Sequence, residues 1–288
     1  MKIMTLNAHS HGAEISEDIF QENLAALAEC IIRQQVDVIA LQEVCQTMGM
    51  EAVEEKELQG FIPSDSQTVI RRDNYVLGLI RKLRQEGRQY YWTWDGIKAG
   101  YEIYDEGLAV ISRFPIECVE EYYLSNQRDY QNWKTRKAIA AEICVDGEKS
   151  WFVSTHMGWW EDEEEPFAGQ MDRLMAKLSH KKCNIYLMGD FNSPADEKHT
   201  GYDYVKTQGW TDIWLAGGNR EHEITVPGKI DGWGKKAEKG LCIDYIWSKY
   251  PVETISSRVV FSGETEPVIS DHYGILSDIC RKQEKKGE

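Results

Sequence analysis

The stretch Asn184–Asp196, N-I-Y-L-M-G-D-F-N-S-P-A-D, constrains the fold more than any other part of the chain. Ile185–Met188 is a short apolar run closed off by Gly189 and Pro194, the pattern of a strand buried on both faces. The residues after it are polar. Asp190 and Asn192 stand two apart on an extended backbone and therefore share one side, and Pro194 stops the strand from continuing. A carboxylate and an amide are thus presented at the end of a rigid strand. Taken alone, the stretch fits either an Asx-capped turn or a pair suited to hydrolysis, in which the carboxylate handles water and the amide donates to an anionic oxygen.

The same pattern recurs along the chain. Lys2–Leu6 reads as a strand ending at Asn7, and Val36–Leu41 as a strand ending in Gln42-Glu43-Val44. Between them, Phe20, Leu24, Leu27, Ala28 and Ile31 recur at helical spacing from Ser16 onward, so strand, helix and strand form a crossover unit. Lys137–Val145 and Ser150–Ser154 pair as a hairpin across Asp146-Gly147, and Thr155-His156 follows where the second strand stops. Pro166 opens a helix to about Ser179. Leu241–Trp247 contains Asp244, and Asp271-His272 precede a closing strand, Ile275–Ile279. Further helices are expected at Asn74–Glu86 and near Lys198–Gln208, and further strands at Tyr90–Trp94 and Gly107–Ser112. Gln46–Gln67 reads as an irregular acidic excursion near the mouth of the sheet, of the kind that often forms a binding lid. Gly96–Glu106 reads as a loop carrying Tyr101 and Tyr104, and Glu117–Tyr130 as a polar connection.

Composition limits the partners. The 288 residues show no linker or repeat and read as one domain, 1–288, and 48 acidic against 33 basic residues give a net charge of −15. That field repels a polyphosphate such as DNA. Seven cysteines, scattered without a C-x-x-C pair, fit reduced thiols better than a disulfide frame or a zinc site. The first residues turn polar too early for a secretory leader, and no apolar run approaches a membrane span. A cytoplasmic location without membrane attachment is expected, and nothing calls for an obligate protein partner.

Asn7, Glu43, His156, Asp190, Asn192, Asp244, Asp271 and His272 all lie where apolar runs end. Four acids, two histidines and two amides do not converge without a cation and hydrogen bonds to satisfy them. Oxygen donors without thiolates suit a hard divalent ion, Mg²⁺ or Mn²⁺, rather than zinc.

The ordered set L-N, L-Q-E-V, G-L-A-V-I-S-R, S-T-H, G-D-F-N-S, I-D-Y-I and S-D-H-Y-G, spanning Asn7 to Gly274, resembles the endonuclease/exonuclease/phosphatase superfamily. The resemblance implies an α/β four-layer sandwich, two mixed β-sheets packed face to face and flanked by helices, with the active site at one end. It makes Glu43 the principal Mg²⁺ ligand, with Asn7 beside it and Asp271 completing the metal environment. Asp190 would orient the attacking water and Asn192 hold the phosphoryl oxygens. His272, fixed by Asp244, would contact phosphorus, and His156 would donate to the developing charge. The histidine of Thr155-His156, where abasic-site nucleases carry a tyrosine, looks more like the sphingomyelinase and phosphatase branches. The opening M-K-I-M-T-L-N-A-H-S and the Trp159-Trp160 pair are similar to a bacterial cytosolic branch, the RgfB-like proteins, which includes maltose 6'-phosphate phosphatase.

Arg136 is either a phosphate contact or a surface arginine on an edge strand, and His9 and His11, in the loop after Asn7, are candidates for lining the pocket. His180, His199 and His222 read as ordinary surface histidines. Of the ten tryptophans, Trp133, Trp159, Trp160 and Trp233 fall in loops on the mouth side, with Tyr101 and Tyr104. Core packing is one reading of them; stacking on sugar rings or bases is the other. With nucleic acid disfavoured by charge, a small phosphorylated sugar conflicts least, and a Mg²⁺-dependent phosphomonoesterase is the expected activity. The alternatives are a phosphodiesterase, nuclease or sphingomyelinase-like, and a non-catalytic binding protein on the same fold.

Overall fold

Each buried strand of this chain carries apolar side chains on both of its faces, and the computed structural model, which describes residues 1–281 except 13, 220 and 231, shows where the two faces go. The elements run β1 (Lys2–Asn7), α1 (Glu17–Gln34), β2 (Val38–Thr47), α2 (Tyr75–Gln85), β3 (Tyr91–Gly100), β4 (Tyr104–Ser112), β5 (Ile116–Tyr123), β6 (Lys137–Val145) and β7 (Glu148–His156). They continue with α3 (Phe167–Leu178), β8 (Asn184–Asp190), α4 (Gly201–Thr207), β9 (Thr211–Asp212), α5 (Ile213–Ala216), β10 (Asp244–Ser248), β11 (Val252–Val260) and β12 (Gly274–Arg281). The strands form two six-stranded mixed sheets, ordered β11-β12-β1-β2-β4-β3 and β5-β6-β7-β8-β10-β9.

Alternation along each strand builds the layers. Met4 and Leu6 of β1, with Ile39 and Leu41 of β2, pack against α1 and α2, while Ile3, Val38 and Ala40 point into the space between the sheets. In the second sheet Val153, Ile185 and Leu187 face α3 and α4, and Phe152, Tyr186 and Met188 meet the first sheet. This is the expected four-layer sandwich. Both helices at its entrances are capped as their sequences require: Ser16 accepts from the Ile19 amide and Asn74 from the Leu77 amide.

Each sheet contains one parallel pair with a helical crossover, β1-α1-β2 and β7-α3-β8. Polar residues below the site join the two halves: Gln42 Nε2 donates to Ser154 Oγ at 2.9 Å, and Ser154 Oγ donates to the Leu41 carbonyl at 2.9 Å. The sheets are thereby held together one residue away from the groups that matter.

Four segments differ from the sequence reading. β2 does not end at Glu43 but continues to Thr47, with a bulge between Leu41 and Val44 in its pairing to β4 and Glu43 at φ +51°. The bulge turns the Glu43 side chain toward the site, a job the sequence reading gave to a strand end. Gly96–Glu106 is mostly strand: β3 and β4 extend as a hairpin turning at residues 101–103, and Lys98 pairs in register with Glu106. The segment read as a polar connection contains β5, an edge strand on which Glu117 is exposed while Glu120 and Glu121 are half-buried and paired with Lys181 and Lys137. The 48–67 excursion is no lid over the mouth. It runs down the flank of the first sheet, where Phe61 packs on Trp92 and Val53 and Leu58 join the helix-side core. The apolar residues spaced through that acidic segment explain the difference.

Candidate active site

The polar strand ends meet at one end of the sandwich because register brings them there. His156 is the residue paired with Asp190 across β7 and β8, and Asp244 is the one paired with Asp190 across β8 and β10. Asn7 reaches over from β1, its Nδ2 donating to Glu43 Oε1 at 2.8 Å and to Asp190 Oδ2 at 3.2 Å. The loop before β12 is fastened by Ser270, whose Oγ donates to the Asn7 carbonyl and accepts from the His272 amide, so Asp271 and His272 face the same cavity. All eight strand-end residues expected from the sequence gather in this way, six of them buried.

Burial forces these groups into pairs. His272 Nδ1 lies 3.0 Å from Asp244 Oδ2. Burial works against a charge on His272, but Asp244 and then Asp190 outweigh it and raise the ring to about 10. Burial, followed by Asp244 opposite, pushes Asp190 up to about 7. Glu43 is held well below the carboxylate range despite its burial, chiefly by His9 and His156. His9 Nδ1 sits 3.3 Å from Glu43 Oε2 and 3.9 Å from Asp271 Oδ2, and the Glu43 hydrogen bond raises it to about 10. His156 is pushed well below its ordinary value by burial and then by Arg136, and stays neutral.

The tautomer of His156 follows from its neighbours. Trp233 Nε1 is a donor only, so the atom of Asn192 facing it at 3.0 Å is the carbonyl Oδ1. The other end of that amide, Nδ2, then donates to the Met157 carbonyl at 3.0 Å and to His156 Nε2 at 3.1 Å. With Nε2 accepting, the His156 proton is on Nδ1, which faces Glu43 Oε1 at 3.7 Å.

Two triads bring ligand atoms within 4.8 Å of one another: Glu43, His156 and Asp190, and Asp190, Asp244 and His272. Asp271 belongs to neither and meets Glu43 through His9. The residues fit a divalent metal. The carboxylates of Glu43 and Asp271 share one imidazolium as counter-charge, and Asp244 Oδ1 is buried without a partner among the described residues. A cation at the Glu43 end would add counter-charge there, and oxygen donors predominate in the set.

The cavity over these groups has a volume of 480 Å³. Arg136 and His9, which the sequence left open, both line it, and so do two residues that sequence reasoning missed, Lys98 and Glu106 of the β3–β4 hairpin. The alternation of Ile97 and Ala99 with Lys98 was the available signal. An adjoining cleft of 540 Å³ is lined by Trp133, Trp159, Trp160 and Trp233, and the two share Trp133, Trp159, Asn192 and Gly232. Trp133 is 54% exposed and stands edge-on to Trp159, whereas Trp233 is only 8% exposed. Trp160 also packs on Phe167 and Tyr204. Tyr101 lines the site, but Tyr104 turns away and packs against His11. His222 is not a surface histidine either: its Nε2 lies 2.6 Å from Asp212 Oδ2, among Tyr202, Trp214 and Tyr245.

The model of the endonuclease/exonuclease/phosphatase family matches residues 4–272. The chain belongs to that family. A family protein from Leptotrichia buccalis C-1013-b shares its fold with a TM-score of 0.83 and 30% identity, over 97% of this chain and 99% of that one. Two more distant structures, at 14% identity each, share the fold at TM-score 0.62: a mannosyl-6-phosphatase of Bacteroides thetaiotaomicron VPI-5482, over 97% of this chain and 99% of that one, and a humanized D. rerio TDP2, over 97% and 98%. No curated protein matches the chain in sequence. Members of the endonuclease/exonuclease/phosphatase family are phosphoester hydrolases, and this chain is one of them. None of its helices among the described residues is long and apolar enough to cross a membrane.

The Asp244–His272 pair carries a testable sign. The folded pKa of His272, about 10, lies above its ordinary 6.5, so the stabilisation is complete below 6.5 and is lost as pH rises through 10. Asp190, pushed up to about 7, titrates in the lower part of that window and does not blur its upper part. With chelator present, Asp244→Asn should lower the thermal midpoint by several degrees near neutral pH, and the gap to wild type should close toward pH 10. A gap that widens with pH would contradict the pairing.

Proposed function

We propose that this family member is a Mg²⁺-dependent phosphomonoesterase of phosphorylated sugars, such as maltose 6'-phosphate, acting by in-line attack of water. The observation that carries the reading is the tryptophan-lined cleft opening directly from the carboxylate–histidine cavity. Flat indole faces suit the apolar faces of sugar rings, and the cleft begins where a leaving group would depart.

Glu43, with Asn7 and Asp271, would hold the metal, which when bound supplies positive charge against the phosphate oxygens. Asp190, aimed by the Asn192 amide and by Asn7 Nδ2, takes the proton from the attacking water. His272, kept charged by Asp244, presents Nε2 to a phosphoryl oxygen, and His156 donates from Nδ1 to charge developing in the transition state. Asn192 receives a different part from the one the family resemblance implies. Both of its amide hydrogens are committed to Met157 and His156, so it fixes His156 rather than holding phosphate itself. The single-domain organisation, a cytoplasmic location and a small phosphorylated substrate belong to the same reading, and the net charge of −15 argues against a nucleic acid.

The test is phosphate release from maltose 6'-phosphate, glucose 6-phosphate, a nucleotide, sphingomyelin and nicked DNA, each with Mg²⁺ and with chelator. Metal-dependent release confined to the sugar phosphates is expected. Cleavage of DNA or sphingomyelin with the sugars untouched would replace this reading with that of a phosphodiesterase.

A further inference from the structure

Arg136 stands apart in the electrostatics of the cavity. The other cations there have carboxylate partners: His272 has Asp244, His9 has Glu43, and Lys98 has Glu106 at 3.0 Å. Arg136 is 3% exposed, and no carboxylate of the described residues comes within ion-pair distance of its guanidinium, Glu106, Asp190, Glu43 and Asp162 acting on it only from farther away. Its Nη1 makes two long hydrogen bonds, to the carbonyls of Trp133 at 3.2 Å and Thr135 at 3.4 Å, and its Nε is buried without a partner among the described residues. Trp159 lies under it, 5.8 Å from its Cζ. Burying a guanidinium without a counter-charge is unfavourable unless something pairs with it. This one lines the site cavity beside Lys98, another buried cation, and the two are close enough that Arg136 works with burial to lower the Lys98 ammonium.

We infer that Arg136, seconded by Lys98, is a subsite for the second negative charge of a phosphate monoester and sets the preference for dianionic monoesters over diesters. The inference rests on the phosphoester-hydrolase reading of this same cavity and deepens it. A diester brings one negative charge on two non-bridging oxygens; a monoester brings up to two charges on three. Glu43, Asp190, Asp244 and Asp271 all repel the extra charge, so a pocket that takes a dianion needs positive charge beyond the metal and His272. A guanidinium with free donors supplies charge and directed hydrogen bonds together. Lys98 alone would not serve, because Glu106 already neutralises it.

The experiment compares wild type with Arg136→Gln, Arg136→Lys and Lys98→Met on p-nitrophenyl phosphate and bis(p-nitrophenyl) phosphate with Mg²⁺. In parallel, inorganic phosphate and dimethyl phosphate are titrated into the metal-free proteins, read by tryptophan fluorescence. Arg136→Gln should lower kcat/KM for the monoester by about 10²-fold and for the diester by less than about threefold, and should abolish the phosphate response. Arg136→Lys should fall between, and Lys98→Met should shift the ratio the same way by a smaller factor. Equal losses on both esters, or an unchanged monoester rate in a variant with wild-type thermal midpoint, would overturn the inference. If Arg136→Gln does not fold, the ratio in Arg136→Lys and Lys98→Met decides. If wild type cleaves no monoester, the phosphomonoesterase reading fails by itself, and the phosphate titration still tests the subsite: binding that survives in Arg136→Gln refutes it.

Discussion

Asp190→Asn is expected to lower kcat by about 10³-fold, within the range for loss of a positioned general base, while leaving the fold intact. The carboxylate lies at the centre of the site. One oxygen accepts from the Asn192 amide at 2.8 Å, the other from Asn7 at 3.2 Å, and the rings of His156 and His272 stand at 3.5 and 3.9 Å. Asparagine matches its shape and can still accept from the Asn192 backbone amide, but its NH2 cannot accept from Asn7 Nδ2, so the variant removes the base together with that one hydrogen bond. Burial and Asp244 push Asp190 up to about 7, and a bound cation would bring it down. Activity that needs the ionised form should therefore rise with pH along an acid limb centred at or below about 7. The pH–rate profile of the variant should lack that limb. A variant within tenfold of wild type that kept the same limb would assign the base to another residue.

Gly189→Ala is expected to damage stability and activity together. A β-carbon at Gly189 would lie 1.9 Å from the carbonyl oxygen of Thr155, a backbone atom on the paired strand, and the residue sits at φ +151°. Neither problem can be solved by a side-chain rotation. The strands must part where Thr155 pairs with Gly189, and the next pair along is His156 with Asp190. Overpacking of this kind costs about 1–3 kcal/mol or more, and the strained φ adds to it. A midpoint lowered by roughly 5–15 °C follows, with kcat reduced even where the protein remains folded. Gly209→Ala is the control, since Gly209 also has a positive φ but no atom within 4 Å of its added carbon, so only the backbone cost remains. Equal midpoints for the two variants would show that β7 and β8 yield more easily than their packing implies.

The sheet ends were legible in the sequence because a strand buried on both faces leaves an uninterrupted apolar run, and the first polar residue after it marks where the sheet meets solvent. Asn7, His156 and Asp190 were found that way. Glu43 was found for a partly wrong reason: its pattern looked like a strand end, but β2 bulges there and continues. β5 was missed because its Glu117, Glu120 and Glu121 read as loop, whereas the last two are half-buried and paired with Lys181 and Lys137. Lys98 and Glu106 were missed for a related reason. An oppositely charged cross-strand pair on a glycine-bearing hairpin looks like solvated surface, and only the fold shows that the hairpin stands as a wall of the cavity. No local pattern could show that Arg136 ends up buried without a carboxylate of the described residues at ion-pair distance, since this depends on segments distant in sequence arriving together.

The bond from Trp233 to Asn192 has a consequence for how such a site can change. One residue of the cleft wall is also the anchor of the amide that sets the His156 proton, so substrate preference and turnover are not separate modules on this side of the pocket. A lineage, or a laboratory selection, that reshapes the cleft through Trp233 gives up rate with every new preference. Trp133, more than half exposed and tied to Arg136 only through its backbone carbonyl, is the position from which preference can drift at little cost to the chemistry.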